Sequence, residues 1–409
     1  MRIYMHPTGV PDRKESGIVL RRIYFAVFGS GLGHVTRVLD ISERLRAEGD
    51  EFRYSCSAQA LSYLKVHDKG SEILSSPPLD VEWTEEGSFS SKDFLPHFPL
   101  MFNSFLKQVA FEAQSIAKFD PRLVVSDSRL SPVLAARMKS YPVITMLNQF
   151  KVAFPPRFRV NRMGRFYERV AGDALGVLWS LSDQVLMTDL PPPYTIGEAN
   201  IEGTDLSRIV RFVGFTSPRL ELGEERLSTA RRLLALDSRP LVFFQISGPD
   251  ATKRRFVDTV LRSTDELAAR YNVVVSLGQL DGSGEPRRLT SGAWLYDWCP
   301  IKDELFTLSD VVVARSGHGT IGQCIDAGKP AVLIPIHNHP EQIGNADKFC
   351  KLGLGLEIRS EDLNAAVLTE YVDLCLNDSR YRSNIEALMS VSKKYGGIEK
   401  CVEIIDSYG

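Results

Sequence analysis

The sequence predicts an α/β protein made of two Rossmann-like units facing a central cleft, and three observations carry that expectation. Short apolar, β-branched runs alternate with helical patterns almost throughout, as in parallel sheets covered on both faces. The 409 residues exceed what one core ordinarily holds and favour two domains of about 200 residues each. Each half also carries a glycine-rich turn directly after an apolar strand, where a helix can begin.

In the first half, strands are expected at 23–28, 52–57, 123–126 and 143–147, with a last one at 211–214. A second series runs through 241–245, 272–277, 311–314 and 331–334, with a helix at 321–327 ended by Gly328. The prolines at 191–193 restrict the chain locally, but the polar stretch Thr216–Glu225, with Pro218 and Gly223, is the better hinge. The units are therefore expected at 1–215 and 216–380. Residues 381–409 show helical spacing (Ile385, Leu388, Met389, then Val402, Ile405), interrupted by Gly396 and Gly397, and are expected to pack back on the first unit.

Composition narrows the class. Hydrophobic content of 44% and charged content of 24% are ordinary for a globular protein. No apolar run approaches the roughly 18 residues of a membrane span. The polar residues His6, Asp12, Arg13, Lys14 and Glu15 argue against a secretory signal, so a cytoplasmic protein is expected. Cysteines 56, 299, 324, 350, 375 and 401 lack the close pairs of metal or redox motifs and read as reduced, mostly buried thiols. Net charge is −2, which demands no nucleic acid, but residues 151–169 hold six basic side chains against Glu168 alone.

The first loop, 29–34, fails as a dinucleotide fingerprint: His34 stands where the third glycine belongs, and Cys56 and Ser57 stand where an acid should end the second strand. What it does instead is project an imidazole from a helix start into the crevice above the sheet, where a neutral ring can accept a proton. Asp127 ends a strand and should reach the same rim. Two roles stay open for it: orienting the His34 ring, or capping the helix that follows. In the second half, the strand 311–315 breaks into Ser316, Gly317, His318, Gly319 and Thr320, and backbone amides at such a helix start attract phosphate. The next strand ends near Pro335 and delivers Glu341 and Gln342 to the same rim. Ser247 and Gly248 form another loop facing the crevice, and Trp298 either meets a flat heterocycle or packs in the core. This constellation suits a nucleotide diphosphate-sugar.

These residues resemble glycosyltransferases of the GT-B fold, especially the MurG-like and UDP-glycosyltransferase groups, over nearly the whole chain. The loop 29–37 is similar to that family's amino-terminal loop, 298–300 to its base-binding loop, and 315–346 to its donor signature. The resemblance implies that the first unit binds acceptor and the second donor. It implies that Gly317, His318, Gly319 and Thr320 contact the diphosphate; the reading of the loops adds Arg315, Ser316, Ser247, Gly248, Trp298, Gly31 and Gly33 as expected neighbours of the donor. Glu341 and Gln342 would hold the sugar, and His34 would lie near the acceptor hydroxyl. Family members commonly carry a glutamate on the ribose where this chain has Gln323, which can hydrogen-bond but loses the charge-assisted pair.

The expected reaction is an inverting, metal-independent transfer of a hexose or N-acetylhexosamine from a UDP-sugar to an acceptor hydroxyl. His34 would serve as base with Asp127 behind it, and no cofactor is expected beyond the donor itself. A nucleotide-sugar epimerase of the same fold and a non-catalytic sugar-nucleotide-binding protein are the competing classes. The basic residues at 151–169, interleaved with Phe154, Phe158, Phe166 and Tyr167, and the apolar stretch 94–106 would suit an anionic membrane surface or a lipid-linked acceptor. The plainer alternative is a solvated helix face over buried aromatics. A peripheral position on the inner face of the membrane follows from the first reading, and no nucleic-acid motif accompanies the patch.

Overall fold

The computed structural model describes residues 21–408, apart from 30, 48, 79–90, 152–161, 199–200, 202–208, 218–221, 249 and 280. Side chains of 91–99, 167, 168, 171, 173, 250 and 251 also lie outside the description. Much of the basic stretch and of the apolar stretch, and part of the expected hinge, therefore fall outside the described residues.

Two seven-stranded sheets organise the chain. The first is ordered β3-β2-β1-β4-β5-β6-β7, from Glu72–Ser75, Glu51–Cys56, Arg22–Val27, Leu123–Asp127, Val143–Leu147, Gln184–Met187 and Val210–Phe212. The second is ordered β10-β11-β9-β8-β12-β13-β14, from Arg287–Arg288, Trp294–Tyr296, Asn272–Ser276, Leu241–Gln245, Val311–Ala314, Ala331–Leu333 and Gly355–Glu357. Every pairing is parallel except β10 with β11. The central strands β4, β5 and β12 are buried along their whole length, which is why they read as unbroken apolar runs rather than alternating ones.

In each sheet the strand order reverses once near the middle, between β1 and β4 and between β8 and β12. The crevice beyond the carboxyl ends of such a strand pair is where open parallel sheets bind ligands. Val27 pairs with Asp127 at one switch point and Gln245 with Ala314 at the other.

The chain passes between units at two adjacent places. Val213 packs in the first core and Phe215 in the second, so the outward crossing lies at Gly214. Helix Ser379–Ser392 buries Ile385 and Leu388 in the second unit, whereas helix Ile398–Asp406 buries Ile398, Cys401, Ile404 and Ile405 against the first. The return therefore lies at 393–397, later than the expected boundary at 381. The two crossings are tied together by the Gly397 amide donating to the Val213 carbonyl at 2.7 Å. Gly397 has φ 59° and its missing side chain makes room for the Phe215 carbonyl, so a larger residue would strain this junction.

All six cysteines are free and, apart from half-buried Cys350, buried. Burial pushes the thiols of Cys56, Cys299, Cys350, Cys375 and Cys401 up to about 12, so they pack as small apolar groups. No helix among the described residues is long and apolar enough to cross a membrane.

Candidate active site

The first half of the candidate site is built where β1 and β4 part. After β1, helix α1 (Leu32–Leu45) starts behind Gly31, which has φ 82° and offers no side-chain cap. His34 and Arg37 are one turn apart on α1 and therefore share a face. His34 Nδ1 lies 2.7 Å from Asp127 Oδ1. Arg37 forks onto the same carboxylate, Nε to Oδ2 at 2.5 Å and Nη2 to Oδ1 at 2.5 Å. Its Nη1 reaches Asn148 Oδ1 at 2.5 Å and Thr188 Oγ1 at 3.0 Å.

Asp127 is completely buried. Burial alone would raise its carboxyl, yet the facing Arg37 and then His34 hold it down at about 2. An ionised carboxylate can only accept hydrogen bonds, so Nδ1 of His34 carries a hydrogen, and in the neutral ring the lone pair then sits on Nε2. The imidazole side chain stays 19% exposed, enough for a substrate hydroxyl to approach. Of the two roles left open for Asp127, ring orientation is the one its contacts fit: the next helix starts at Leu130 behind Arg129 and receives no side-chain cap.

The second half of the candidate site is built where β8 and β12 part. Helix α9 (His318–Ala327) starts behind Gly317, again without a side-chain cap, so its first amides are left for another acceptor. A Cβ added at Gly31, Gly33, Gly317 or Gly319 would meet nothing within 4 Å, so all four border open space. Gly319 is exposed and Thr320 half-buried at this lip. Ser247 is half-buried, and Gly248 turns with φ 107° beside Ile336.

Three expected donor contacts are placed differently. Arg315 is buried, its guanidinium donating to the carbonyls of Ile334 at 3.0 Å, Pro335 at 3.3 Å and Thr252 at 2.7 Å. Burial pulls it down to about 10, and it braces the turn from beneath rather than facing an anion. Ser316 Oγ likewise turns inward, donating to the Gln342 carbonyl at 2.8 Å. The His318 ring points at the first unit, with Nε2 lying 3.0 Å from Asp189 Oδ2 and the ring against Phe215. Arg315, Ser316 and His318 are therefore engaged within the fold, and the uncapped backbone amides and half-buried Thr320 remain at the lip of this turn. Asp189 already accepts the amides of Leu190, Ile196 and Gly197, which fix it beneath the first sheet's rim.

Glu341 stands half-buried at the rim in the first turn of helix Pro340–Lys351. Gln342 spends its side-chain oxygen on the Ile336 amide at 3.0 Å, leaving its NH2 for a ligand. Gln323 is 8% exposed along α9, and Trp298 is half-buried. Arg37, Asn148, Thr188 and Asp189 escaped the sequence reading. The spacing of Arg37 from His34 on one helix face was a usable signal, as were the polar residues directly after the apolar strands β5 and β6. The two halves meet through neighbours in sequence: Thr188 touches Arg37, and Asp189 touches His318. Among the described residues, no cluster of three His, Cys, Asp or Glu side chains could hold a metal ion.

Comparison with known proteins bears on the fold and on the class of protein. Residues 251–400 match the model of the glycosyltransferase family 28 C-terminal domain. An uncharacterised glycosyltransferase of Methanosarcina acetivorans is 24% identical over 395 residues, covering 92% of this chain and 95% of its own. The UDP-N-acetylglucosamine–N-acetylmuramyl-(pentapeptide) pyrophosphoryl-undecaprenol N-acetylglucosamine transferase of Clostridium botulinum is 26% identical, covering 93% of this chain and 97% of its own. Among solved structures, the calicheamicin glycosyltransferase CalG4 superposes with a TM-score of 0.64 at 17% identity, covering 96% of this chain and 98% of its own. The Streptomyces glycosyltransferase SsfS6, solved with thymidine diphosphate, gives 0.59 at 20% identity, covering 95% and 99%. The chain is a glycosyltransferase of the GT-B fold, similar to the UDP-glycosyltransferases, and its residues 251–400 resemble the glycosyltransferase family 28 C-terminal domain.

Proposed function

We propose that this glycosyltransferase inverts the anomeric centre, moving a hexose or N-acetylhexosamine from a UDP-sugar to a hydroxyl of a lipid-linked acceptor. The observation that carries the reading is the His34–Asp127 pair, whose geometry leaves a lone pair on Nε2 at the rim of the cleft. As the acceptor oxygen attacks the anomeric carbon, its proton passes to Nε2, and Asp127 stabilises the imidazolium that forms. The bond from that carbon to the diphosphate breaks on the opposite face. Its electron pair leaves with the diphosphate, which the uncapped amides at Gly317–Thr320 stabilise by fixed dipoles. The departing charge is met by backbone, so the reading calls for no metal.

The name of the Clostridium relative supports a UDP-sugar and a lipid carrier. Exposed Met163, Phe166, Val170 and Val177 on helix Arg162–Trp179, and Leu100, Phe102 and Leu106 on helix Ser91–Phe119, support a lipid surface near the acceptor unit. Arg162, Arg165 and Arg169 are exposed beside the first group. Both helices pack against the same short helix, Leu130–Met138.

A thermal-shift screen against UDP, GDP, TDP and their sugars identifies the donor, since a ligand of the folded state raises its stability. With that donor, His34→Ala should cut turnover by about 10² to 10⁴ while sparing donor affinity. Unchanged turnover removes His34 from the mechanism. An isomer formed from the donor alone would mark an epimerase instead, and binding with neither reaction would mark a sensor.

A further inference from the structure

We propose that Arg37 is a positioning residue of this site, holding the strand ends that carry Asp127 and setting the pH range over which His34 is a free base. The inference rests on the reading of His34 as the base. Four hydrogen bonds of the guanidinium go to Asp127, Asn148 and Thr188, which stand at or just after the ends of the neighbouring strands β4, β5 and β6. One side chain, 5% exposed, thus fastens three consecutive strand ends of the first sheet. Asn148 is fixed in turn by Thr188 Oγ1 at 2.7 Å.

The guanidinium also lies close to the ring, with Nη2 3.1 Å from His34 Nδ1. Oδ1 of Asp127 is shared, accepting from Arg37 and from His34. A lone buried carboxylate at that distance would favour the imidazolium; a cation bonded to the same oxygen opposes it. The ring keeps the hydrogen bond that orients it, without the full pull of a bare negative charge. The other groups facing the pair do not alter this balance. Asn148 and Thr188 are uncharged, Cys401 of helix Ile398–Asp406 has its thiol pushed up to about 12, and Glu399 is engaged outside by Arg44.

The test is an NMR titration of the full chain labelled at histidine, following the Cε1 proton of His34 identified by its loss in His34→Ala. Arg37→Gln should move the His34 midpoint upward by about one pH unit, roughly a tenfold change in proton affinity. Arg37→Lys, which keeps the charge but loses the fork, should bring it most of the way back. A folded Arg37→Gln protein whose midpoint is unmoved or lowered overturns the proposal, as does a Lys variant that behaves like Gln. Because Arg37→Gln leaves a buried carboxylate without its cation, folding is not assured. The comparison is therefore repeated on Asp127→Asn, where adding Arg37→Gln must again raise the midpoint, and no rise there is equally fatal. The readout is independent of transfer: if His34→Ala does not slow the reaction, the base assignment falls while the midpoints still judge Arg37.

Discussion

Replacing Gly319 by Asp should strengthen the free fold and weaken nucleotide binding, two effects of opposite sign at one position. Gly319 lies exposed in the first turn of α9, and a Cβ there meets no atom within 4 Å, so the new side chain carries no packing cost. Replacing a helical glycine by alanine is worth about 0.5–1 kcal/mol, and by aspartate, itself a poor helix former, only about 0.3 kcal/mol. A carboxylate near the start of a helix that lacks a side-chain cap adds about 0.3–1 kcal/mol. At about 2–4 °C per kcal/mol for a unit of this size, Tm without ligand should rise by roughly 1–5 °C. The same carboxylate stands where the diphosphate must come, closing its approach and repelling its charge. If UDP affinity falls about a hundredfold, then at a hundred times the original Kd its stabilisation drops from about 2.7 to about 0.4 kcal/mol. Thermal melts of wild type, Gly319→Ala and Gly319→Asp, with and without UDP or TDP, separate the two terms. An Asp variant that keeps the full nucleotide-induced shift would refute the reasoning, because the amides at this turn would then not be the anion site.

Two further outcomes bear on the acceptor unit. Asp127 is held at about 2 against an ordinary 3.8, so its stabilisation is complete above about 3.8 and is lost as pH falls toward 2; it is worth on the order of 2–3 kcal/mol at neutral pH. Urea melts should therefore show Asp127→Asn most destabilised relative to wild type at pH 7, with the gap narrowing by pH 3, and an equal gap at both counts against the linkage. The chain should sediment with anionic vesicles at low salt, less so at physiological salt, and Phe166→Asp should weaken this. No binding at either salt removes the lipid surface from the proposed function.

The sequence announced the central strands of both sheets because they are apolar and β-branched, buried on both faces. It did not announce β3, β6 and β14, which are short, and of which Gln184–Met187 carries Val185 as its only β-branched residue. The glycine turns were legible because a strand followed by a turn without side chains has few physical uses. Which way the side chains of those turns point was not. Arg315, Ser316 and His318 sit in a motif that reads as anion-binding, yet all three turn inward to serve the fold. Buried backbone carbonyls at strand ends must find donors, and the nearest arginine takes that task; a linear pattern contains no record of such competition. Arg37 was hidden for the converse reason. A basic residue midway along an amphipathic helix ordinarily faces water, and only the placement of Asp127, Asn148 and Thr188 on three separate strands makes it internal.

The inward turn of His318 has a consequence for how donor and acceptor sites are aligned. The first residue of α9 leans on Asp189, the helix backbone receives Ser217 Oγ at the Gly319 carbonyl, and Gly322 lets the Phe215 ring lie directly on the helix. Lys348, on the next helix, reaches Glu198 at 2.8 Å. The donor turn is thus set against the first unit and the crossing segment, and not against its own sheet alone. Asp189 itself is immobilised by three backbone amides and follows directly on Thr188, which anchors Arg37. Displacing the donor turn by an ångström would therefore have to repack the same strand ends that hold the His34 pair. Sugar transfer requires the anomeric carbon, held by one unit, to sit within bonding reach of an oxygen activated by the other, and misplacement of about that size costs on the order of a hundredfold in rate. A continuous buried path between the two sites is what such a tolerance demands of a protein whose halves fold around separate cores.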